Sequence, residues 1–181
     1  MKLRQISLLQ RIALLFLCLS GLSTWASEPW VVQTDAGRVR GHARYGNVEF
    51  LGIPYAQAPV GNLRWQPPVP VEPWDGIKNA KNFGAACPQQ ARYGITEASE
   101  QEDCLSLNIS IPQQNAGKAK KPLPVFVWFH GGAFVGGSSN LYRLDKLTRE
   151  GRMVVVSINY RIGALGFMPH SAFEANTNGG Y

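Results

Sequence analysis

The sequence of 181 residues has few cysteines, little charge and no long hydrophobic run. Three cysteines are too few for a scaffold held by many disulfides, and 45% hydrophobic residues are too many for a disordered chain. Glycine and proline follow no collagen-like repeat. The apolar run at residues 12–22 has eleven residues, whereas a membrane-spanning helix needs about 20. The composition therefore indicates a globular protein.

The N-terminus has the pattern of a secretory signal peptide. Three basic residues precede the apolar run, namely Lys2, Arg4 and Arg11. The segment Thr24-Trp25-Ala26 follows the run and ends in a small residue ahead of Ser27. A basic start, a short apolar stretch and a small residue at the end are typical of cleaved export signals. We expect residues 1–26 to be removed, the mature protein to be periplasmic or secreted, and no membrane span to remain after cleavage.

The remaining charge and cysteines limit the possible partners. Without residues 1–26 the net charge falls from +6 to +3, and the remaining basic residues are scattered, so we expect no nucleic-acid partner. No cluster of His, Cys and carboxylate residues has the spacing of metal ligands, and we expect neither a metal nor an organic cofactor. Two cysteines remain after cleavage, Cys87 and Cys104. An even number of cysteines in an exported protein favours a disulfide, and two free thiols are the alternative.

Hydrophobic patterns in the first two thirds of the chain predict short strands around an irregular segment. Alternation predicts a hairpin at residues 31–41, and a strand is expected at 48–53. Residues 105–111 alternate clearly and predict a half-buried strand. Residues 54–73 contain six prolines and are therefore expected to be irregular, extended chain with tight turns.

The last third of the chain predicts a strand–helix–strand unit. Two almost continuously apolar runs predict strands buried on both faces, as in parallel sheets covered by helices, and they are residues 125–129 and 153–158. Between them, Leu141 to Glu150 has helical spacing, with Ser139 or Asn140 as its N-cap and Gly151 just past its end. This order predicts a right-handed βαβ unit and an α/β fold.

A glycine-rich loop, His130 to Gly137, directly follows the first of these strands. Small consecutive residues let the backbone turn sharply and bring amide N–H groups close to a ligand. Such amides can stabilise an oxyanion in acyl transfer. A phosphate-binding loop would need a Lys where Ser138 follows Gly137, and no G-x-G-x-x-G is present. A plain glycine turn between strand and helix is the remaining alternative.

Four segments of the chain resemble, in the same order, those of the type-B carboxylesterases, the family of bacterial para-nitrobenzyl-type esterases and cholinesterases. The loop begins HGGAF, which is similar to the oxyanion loop of α/β-hydrolase esterases. The other segments are FLGIPYA with PVGNLRW at 50–65, EDCLSLNI at 102–109, and NYRIGALGF at 159–167. Ser106 departs from the usual aromatic residue or Thr, which predicts looser local packing.

The resemblance implies an α/β-hydrolase fold with a mixed, mostly parallel central sheet and helices on both faces. It implies a serine-type carboxylic-ester hydrolase acting on a small-molecule ester. The site residues that it implies are Gly132 and Ala133 as oxyanion-hole amides, His130 and Gly131 as supporting loop residues, Cys87 and Cys104 as a disulfide, and Arg64 and Glu102 as a structural ion pair.

The catalytic nucleophile of this family is missing from the sequence. No G-x-S-x-G occurs, and Gly136 to Asn140 is the nearest approach. In α/β-hydrolases the general base follows the nucleophile, so His42, His130 and His170 come too early to be that base. We expect residues 27–181 to be the N-terminal part of the domain, truncated before the nucleophile, inactive alone, and sticky where strand faces lack cover. A catalytically dead, cholinesterase-like binding or adhesion module is the alternative.

Overall fold

The structure is a computed structural model that describes residues 30–91, 98–117 and 121–171. The expected signal peptide, residues 1–26, lies outside the described residues. Within those three ranges, no helix has the length and hydrophobicity that crossing a bilayer requires.

The described residues form two β-sheets. The smaller sheet has the order β1-β2-β5, with β1 at Val31–Gln33, β2 at Arg38–Arg40 and β5 at Ile77–Asn79. The larger sheet has the order β3-β4-β6-β8-β7, with β3 at His42–Arg44, β4 at Asn47–Pro54, β6 at Ser106–Pro112, β7 at Val125–Phe129 and β8 at Val154–Ile158. The hairpin predicted at 31–41 is confirmed as β1 and β2, and each of the other predicted strands is present within two residues of its expected bounds.

The larger sheet is mixed, as predicted, but in the described part of the chain it is mostly antiparallel rather than mostly parallel. Its parallel part within the described residues is the single pair β7–β8, whose register joins Val125 to Val154 and Phe129 to Ile158. The pairs β3–β4, β4–β6 and β6–β8 are antiparallel. The glycine-rich loop and the helix lie between β7 and β8 in the chain, so the predicted order of strand, loop, helix and strand is confirmed.

The helix α1 is shorter than the sequence predicted, and it covers Asp145–Gly151. Ser139 and Asn140 do not cap it, because Leu144 occupies the cap position and their side chains are bound elsewhere. The Ser139 hydroxyl accepts from the Asn108 amide, and the Asn140 amide donates to the Gly84 carbonyl. Residues 139–141 form a separate 3₁₀ turn instead. Gly151 is also not the left-handed residue after the helix, because Arg152 takes that conformation, with φ 51°.

Strand β7 is exposed, which corrects the prediction that it is buried on both faces. Val125 and Phe129 are each 63% exposed, and Phe126 and Val127 are exposed as well. The cause is position: β7 lies at the edge of the sheet, and α1 packs against β4, β6 and β8. Strand β8, one place further in, is half-buried with alternating burial. The apolar side chains of β7 therefore have little cover from the described residues.

Two apolar clusters form the core. The first joins the two sheets and contains Val39, Val48, Phe50, Ile53, Ala80 and Ala116. The second contains the disulfide between Cys87 and Cys104, together with Ala56, Leu105 and Ile162. Ser106 begins β6 beside this second cluster. It is buried and closely packed: a side-chain carbon on Gly84 would lie only 2.2 Å from its Oγ, so looser packing is not seen here.

The disulfide links residues 17 positions apart, and its sulfur atoms are buried in the second core cluster. A covalent link of this span restricts the unfolded chain by an amount worth about 3 kcal/mol. We therefore expect the double substitution Cys87→Ser/Cys104→Ser to lower the free energy of unfolding by about 3 kcal/mol, measured by urea denaturation. Dithiothreitol should lower the value of the unsubstituted protein by a similar amount and leave the double variant unchanged. Equal stability of the two proteins without reductant would contradict the prediction.

Candidate active site

The glycine-rich loop forms a tight turn immediately after β7. The carbonyl oxygen of Gly132 accepts hydrogen bonds from the N–H groups of Val135, at 3.0 Å, and Gly136, at 3.2 Å. Gly132 has φ +128°, and a Cβ atom on it would lie 1.8 Å from the Gly136 oxygen, so the turn requires glycine there. Ala133 and Phe134 follow in the left-handed region, with φ 52° and 60°, a conformation that non-glycine residues adopt at a free-energy cost.

Three consecutive backbone donors of this turn have no acceptor in the described part of the chain. They are the N–H groups of Gly132, Ala133 and Phe134, and all three residues are exposed. The preceding amide differs, because the Gly131 N–H donates to the Tyr142 hydroxyl at 3.3 Å. The turn thus presents three consecutive N–H groups that can bind an acceptor atom of a ligand, and hydrogen bonds inside the turn orient the first two, the donors at Gly132 and Ala133.

The direction of each donor is fixed through the carbonyl of the same peptide group. In a trans peptide the N–H and C=O bonds point in opposite directions. The Gly131 oxygen lies 2.9 Å from His130 Nδ1, which orients the Gly132 N–H. The Gly132 oxygen is held by Val135 and Gly136, which orients the Ala133 N–H. Both donors are therefore aimed by hydrogen bonds on the inner side of the turn.

His130 is buried and supports the loop. Its ring stacks on Tyr160 with centroids 4.3 Å apart, and its carbonyl accepts a hydrogen bond from the Tyr160 hydroxyl at 2.6 Å. Burial lowers the pKa of His130, although its bond to Gly131 opposes this shift, so the ring is neutral at pH 7. A carbonyl can only accept, and Nδ1 therefore carries the proton. Burial also raises the pKa of Tyr160, which keeps its hydroxyl protonated as a donor.

An aromatic group flanks the donors. The Phe134 ring lies 4.6 Å from Phe167 and 6.5 Å from Tyr160, measured between centroids. The Phe134 carbonyl also accepts a hydrogen bond from the N–H of Gly163. These contacts fasten the tip of the turn to the segment 159–167 and place apolar surface beside the two amides. This aromatic group leaves no signal in the sequence, because its members are far apart in the chain.

A second feature missed from the sequence is a set of side-chain amides behind the loop. Asn159 accepts the Ser139 N–H at 2.7 Å and donates to the Ala85 carbonyl at 3.0 Å. Asn108 donates to the hydroxyls of Ser139 and Ser157. Buried amides without partners would be destabilising, and here their bonds connect the end of the loop to the sheet and to residues 84–86. Such long-range bonds leave no local sequence signal.

The expected site residues fall into two groups. His130, Gly131, Gly132 and Ala133 form one turn, whereas the disulfide and the Arg64–Glu102 pair lie at the second core cluster. The Arg64 guanidinium binds both carboxylate oxygens of Glu102, with Nε 2.7 Å from Oε2. His42 is remote from the turn on β3, at the opposite edge of the sheet from β7, with Nε2 3.9 Å from Glu49. Among the described residues, no group of three or more His, Cys, Asp or Glu side chains could hold a metal ion.

Comparison with known proteins identifies the family. The sequence model of the carboxylesterase family matches residues 28–181. The chain belongs to the carboxylesterase family. It is 41% identical over 150 residues to the para-nitrobenzyl esterase of Bacillus subtilis, a match that covers 80% of this chain and 30% of that protein. It is 40% identical over 164 residues to the fumonisin B1 esterase of Sphingopyxis macrogoltabida, covering 84% of this chain and 30% of the relative.

Solved structures agree with this assignment to the carboxylesterases. A PNB esterase superimposes with a TM-score of 0.70 at 39% sequence identity, covering 80% of this chain and 30% of that one. The predicted α/β-hydrolase fold class is confirmed for this part of the domain. The chain spans about 30% of the length of the relatives that it matches.

The Gly136 oxygen leaves no room for a Cβ atom on Gly132, which gives a testable prediction for this carboxylesterase loop. We expect Gly132→Ala to lower the free energy of unfolding by about 2 kcal/mol or more, because strain and a clash with backbone add together. The matched control is Gly61→Ala, since Gly61 also has a positive φ, +55°, but nothing lies within 4 Å of its added Cβ. That variant should lose about 1 kcal/mol. Equal losses in urea denaturation would show that the tight turn is not formed as described.

Proposed function

We propose that this chain supplies the oxyanion hole of a serine-type carboxylic-ester hydrolase acting on small-molecule esters. The observation that carries the proposal is the pair of oriented, unbonded N–H groups at Gly132 and Ala133. Backbone N–H groups fixed in advance at a site of developing negative charge lower the barrier to acyl transfer by a few kcal/mol per donor. Membership of the carboxylesterase family supports this chemistry over a phosphate-binding or purely structural role for the loop.

The reaction divides into two steps in which the same donors act. A serine hydroxyl attacks the ester carbonyl carbon while a histidine takes its proton, and the carbonyl oxygen becomes an anion bound by the Gly132 and Ala133 N–H groups. Collapse of this intermediate expels the alcohol, which receives the proton from the histidine. Water then attacks the acyl-serine through a second oxyanion, which releases the carboxylic acid and restores the serine.

The nucleophile, its acid and its histidine are proposed to lie outside these 181 residues. The sequence has no G-x-S-x-G, and its relatives are about three times as long as the part that it matches. The exposed apolar side chains of β7 support the same proposal, because such surface is normally covered in a soluble protein. Residues 27–181 are then the N-terminal part of the carboxylesterase domain.

The ester substrate is proposed only at the level of its class. The names of the relatives refer to two different esters, para-nitrobenzyl and fumonisin B1, and thus indicate no single substrate. The apolar rings of Phe134 and Phe167 beside the donors suit an acyl or alcohol group with apolar surface. Activated p-nitrophenyl esters are therefore suitable probes, because they place a small acyl group and an aromatic leaving group at the site.

The protein is also proposed to be exported. The basic and apolar N-terminus supports this, as does the match of the family model from residue 28 onward, just after the expected cleavage site. The disulfide is consistent with an oxidising compartment. We expect mass spectrometry of the protein recovered from a periplasmic or culture fraction to identify Ser27 as its first residue. Recovery of an uncleaved N-terminus from the cytosol would overturn this part of the proposal.

The decisive experiment removes one donor from the turn. In the protein encoded by the complete gene, Ala133→Pro deletes an N–H group and also forces the φ of residue 133 away from 52°. Both changes act against the oxyanion hole, and we expect kcat for p-nitrophenyl acetate to fall about 100-fold or more. Ala133→Gly keeps the N–H and tolerates the positive φ, so its kcat should stay within about twofold of the original.

Two results would count against the proposal. Activity of Ala133→Pro close to that of the unsubstituted protein would exclude this amide from the oxyanion hole. A folded, unsubstituted protein that hydrolyses neither p-nitrophenyl acetate nor p-nitrophenyl butyrate would overturn the hydrolase function and favour the binding or adhesion module. Near-ultraviolet circular dichroism of each variant provides the check on folding.

A further inference from the structure

The side chain of Gln89 binds both polar atoms of the Gly137 residue. The Gly137 N–H donates to Gln89 Oε1 at 2.7 Å, and Gln89 Nε2 donates to the Gly137 carbonyl at 2.9 Å. A second bond from Nε2, at 3.2 Å, reaches the Cys87 carbonyl. A primary amide that donates and accepts at one residue fixes both its distance and its orientation.

Gln89 is itself held firmly by its own backbone. Its N–H and carbonyl both pair with Ser99, at 2.8 and 2.9 Å, and the Ser99 hydroxyl donates to the Ala86 carbonyl at 2.6 Å. Gln89 also lies two residues after Cys87, whose disulfide is anchored in the core. Its carboxamide therefore projects toward the loop from a fixed base.

Gly137 in turn touches the residues that aim the oxyanion donors. A Cβ atom on Gly137 would lie 2.4 Å from the Gly131 oxygen and 2.7 Å from His130 Nδ1. These are the two atoms whose hydrogen bond orients the Gly132 N–H. Gly137 also directly follows Gly136, whose N–H helps to orient the Ala133 N–H through the Gly132 oxygen. A displacement of Gly137 would therefore change the directions of both donor N–H groups.

We propose that Gln89 is a positioning residue for the oxyanion hole: its carboxamide fixes Gly137, and Gly137 fixes the directions of the Gly132 and Ala133 N–H groups. The inference rests on the proposed function, and it adds a residue from the disulfide-closed segment 87–104 to the machinery of the turn. Gln89 contacts no reacting atom. Its loss should therefore weaken the stabilisation of the transition state more than the binding of substrate.

Two substitutions separate the hydrogen bonds from the shape of the side chain. Gln89→Met keeps the length but makes neither bond, and we expect kcat for p-nitrophenyl acetate to fall about 10- to 100-fold with KM changed less than about threefold. Gln89→Glu keeps an acceptor for the Gly137 N–H, but its ionised form repels the Gly137 carbonyl. When protonated, the new carboxyl group donates and accepts as the original amide does.

The glutamate variant therefore has a distinctive pH profile. Repulsion from the Gly137 carbonyl and desolvation both raise the pKa of the new carboxyl above its ordinary value of about 4.3. The crevice beside Gln89 is otherwise lined by uncharged residues among those described, at 84–86, 98–99 and 137–141. The titratable group facing Gly137 is His130, whose pKa burial lowers. Its titration is common to both proteins and is therefore divided out when their kcat values are compared at the same pH. The kcat of Gln89→Glu, divided by that of the unsubstituted protein at the same pH, should rise about threefold or more from pH 7.5 to 5.5.

The experiment uses the protein encoded by the complete gene, with Gln114→Met as control, because Gln114 is an exposed glutamine in the turn after β6. The kcat of Gln114→Met should equal that of the unsubstituted protein. The kcat of Gln89→Met, divided by that of the unsubstituted protein at the same pH, should be independent of pH. Amide hydrogen exchange of residues 131–137 gives a second readout, and we expect it to be about tenfold faster in Gln89→Met.

The outcomes distinguish this inference from the proposed function. Full activity and unchanged exchange in Gln89→Met would overturn the positioning role while leaving the hydrolase intact. Absence of hydrolysis by the unsubstituted protein would overturn the proposed function, and hydrogen exchange would then still decide whether Gln89 holds the turn. If the kcat of Gln89→Glu relative to the unsubstituted protein does not change with pH, or if both variants unfold globally, Gln89 contributes to folding rather than to positioning.

Discussion

The geometry of the loop depends on three hydrogen bonds to two carbonyl groups inside the turn. One links the Gly131 oxygen to His130 Nδ1, and the other two are donated to the Gly132 oxygen by the N–H groups of Val135 and Gly136. Because each carbonyl belongs to the same rigid peptide as the next N–H, these bonds direct the donors outward. Both donors are backbone groups, so side chains such as His130 act on them only by holding the backbone. What the turn needs is support for its backbone, which explains why so many polar contacts lie on its inner side.

That support comes from three separate parts of the chain. The stacked rings of His130 and Tyr160 hold the beginning of the turn, and the bond between Phe134 and Gly163 holds its tip. Gln89 holds its end from the segment around the disulfide, and Asn108 of strand β6 holds it from the sheet through the Ser139 hydroxyl. The sheet, the disulfide segment and the segment 159–167 thus meet at one short stretch of backbone. Substitutions at residues distant from the donors can therefore change the orientation of the donor N–H groups.

Much of the fold could be predicted from the sequence, because the relevant signals are local. Alternating and β-branched residues marked the strands, and the small residues 131–137 marked the turn. Three features could not be predicted in this way. Helix α1 begins late because the side chains of Ser139 and Asn140 bind partners far along the chain, and Arg152 takes the left-handed position that Gly151 was expected to fill. Strand β7 has the composition of a buried strand, yet its exposure depends on which neighbours are present. Gln89 looked like an ordinary polar residue, since its 48-residue separation from Gly137 leaves no periodic pattern.

The same separation of 48 residues bears on the order of events during folding. Contacts between distant segments form late, because closing a long loop costs conformational entropy before any favourable contact is made. Neighbouring strands can pair and the glycine turn can bend while the segment around Cys87 is still unattached. Only when that segment docks does the backbone at Gly137 become rigid. The final orientation of the Gly132 and Ala133 N–H groups would accordingly be one of the last features that a newly synthesised molecule acquires.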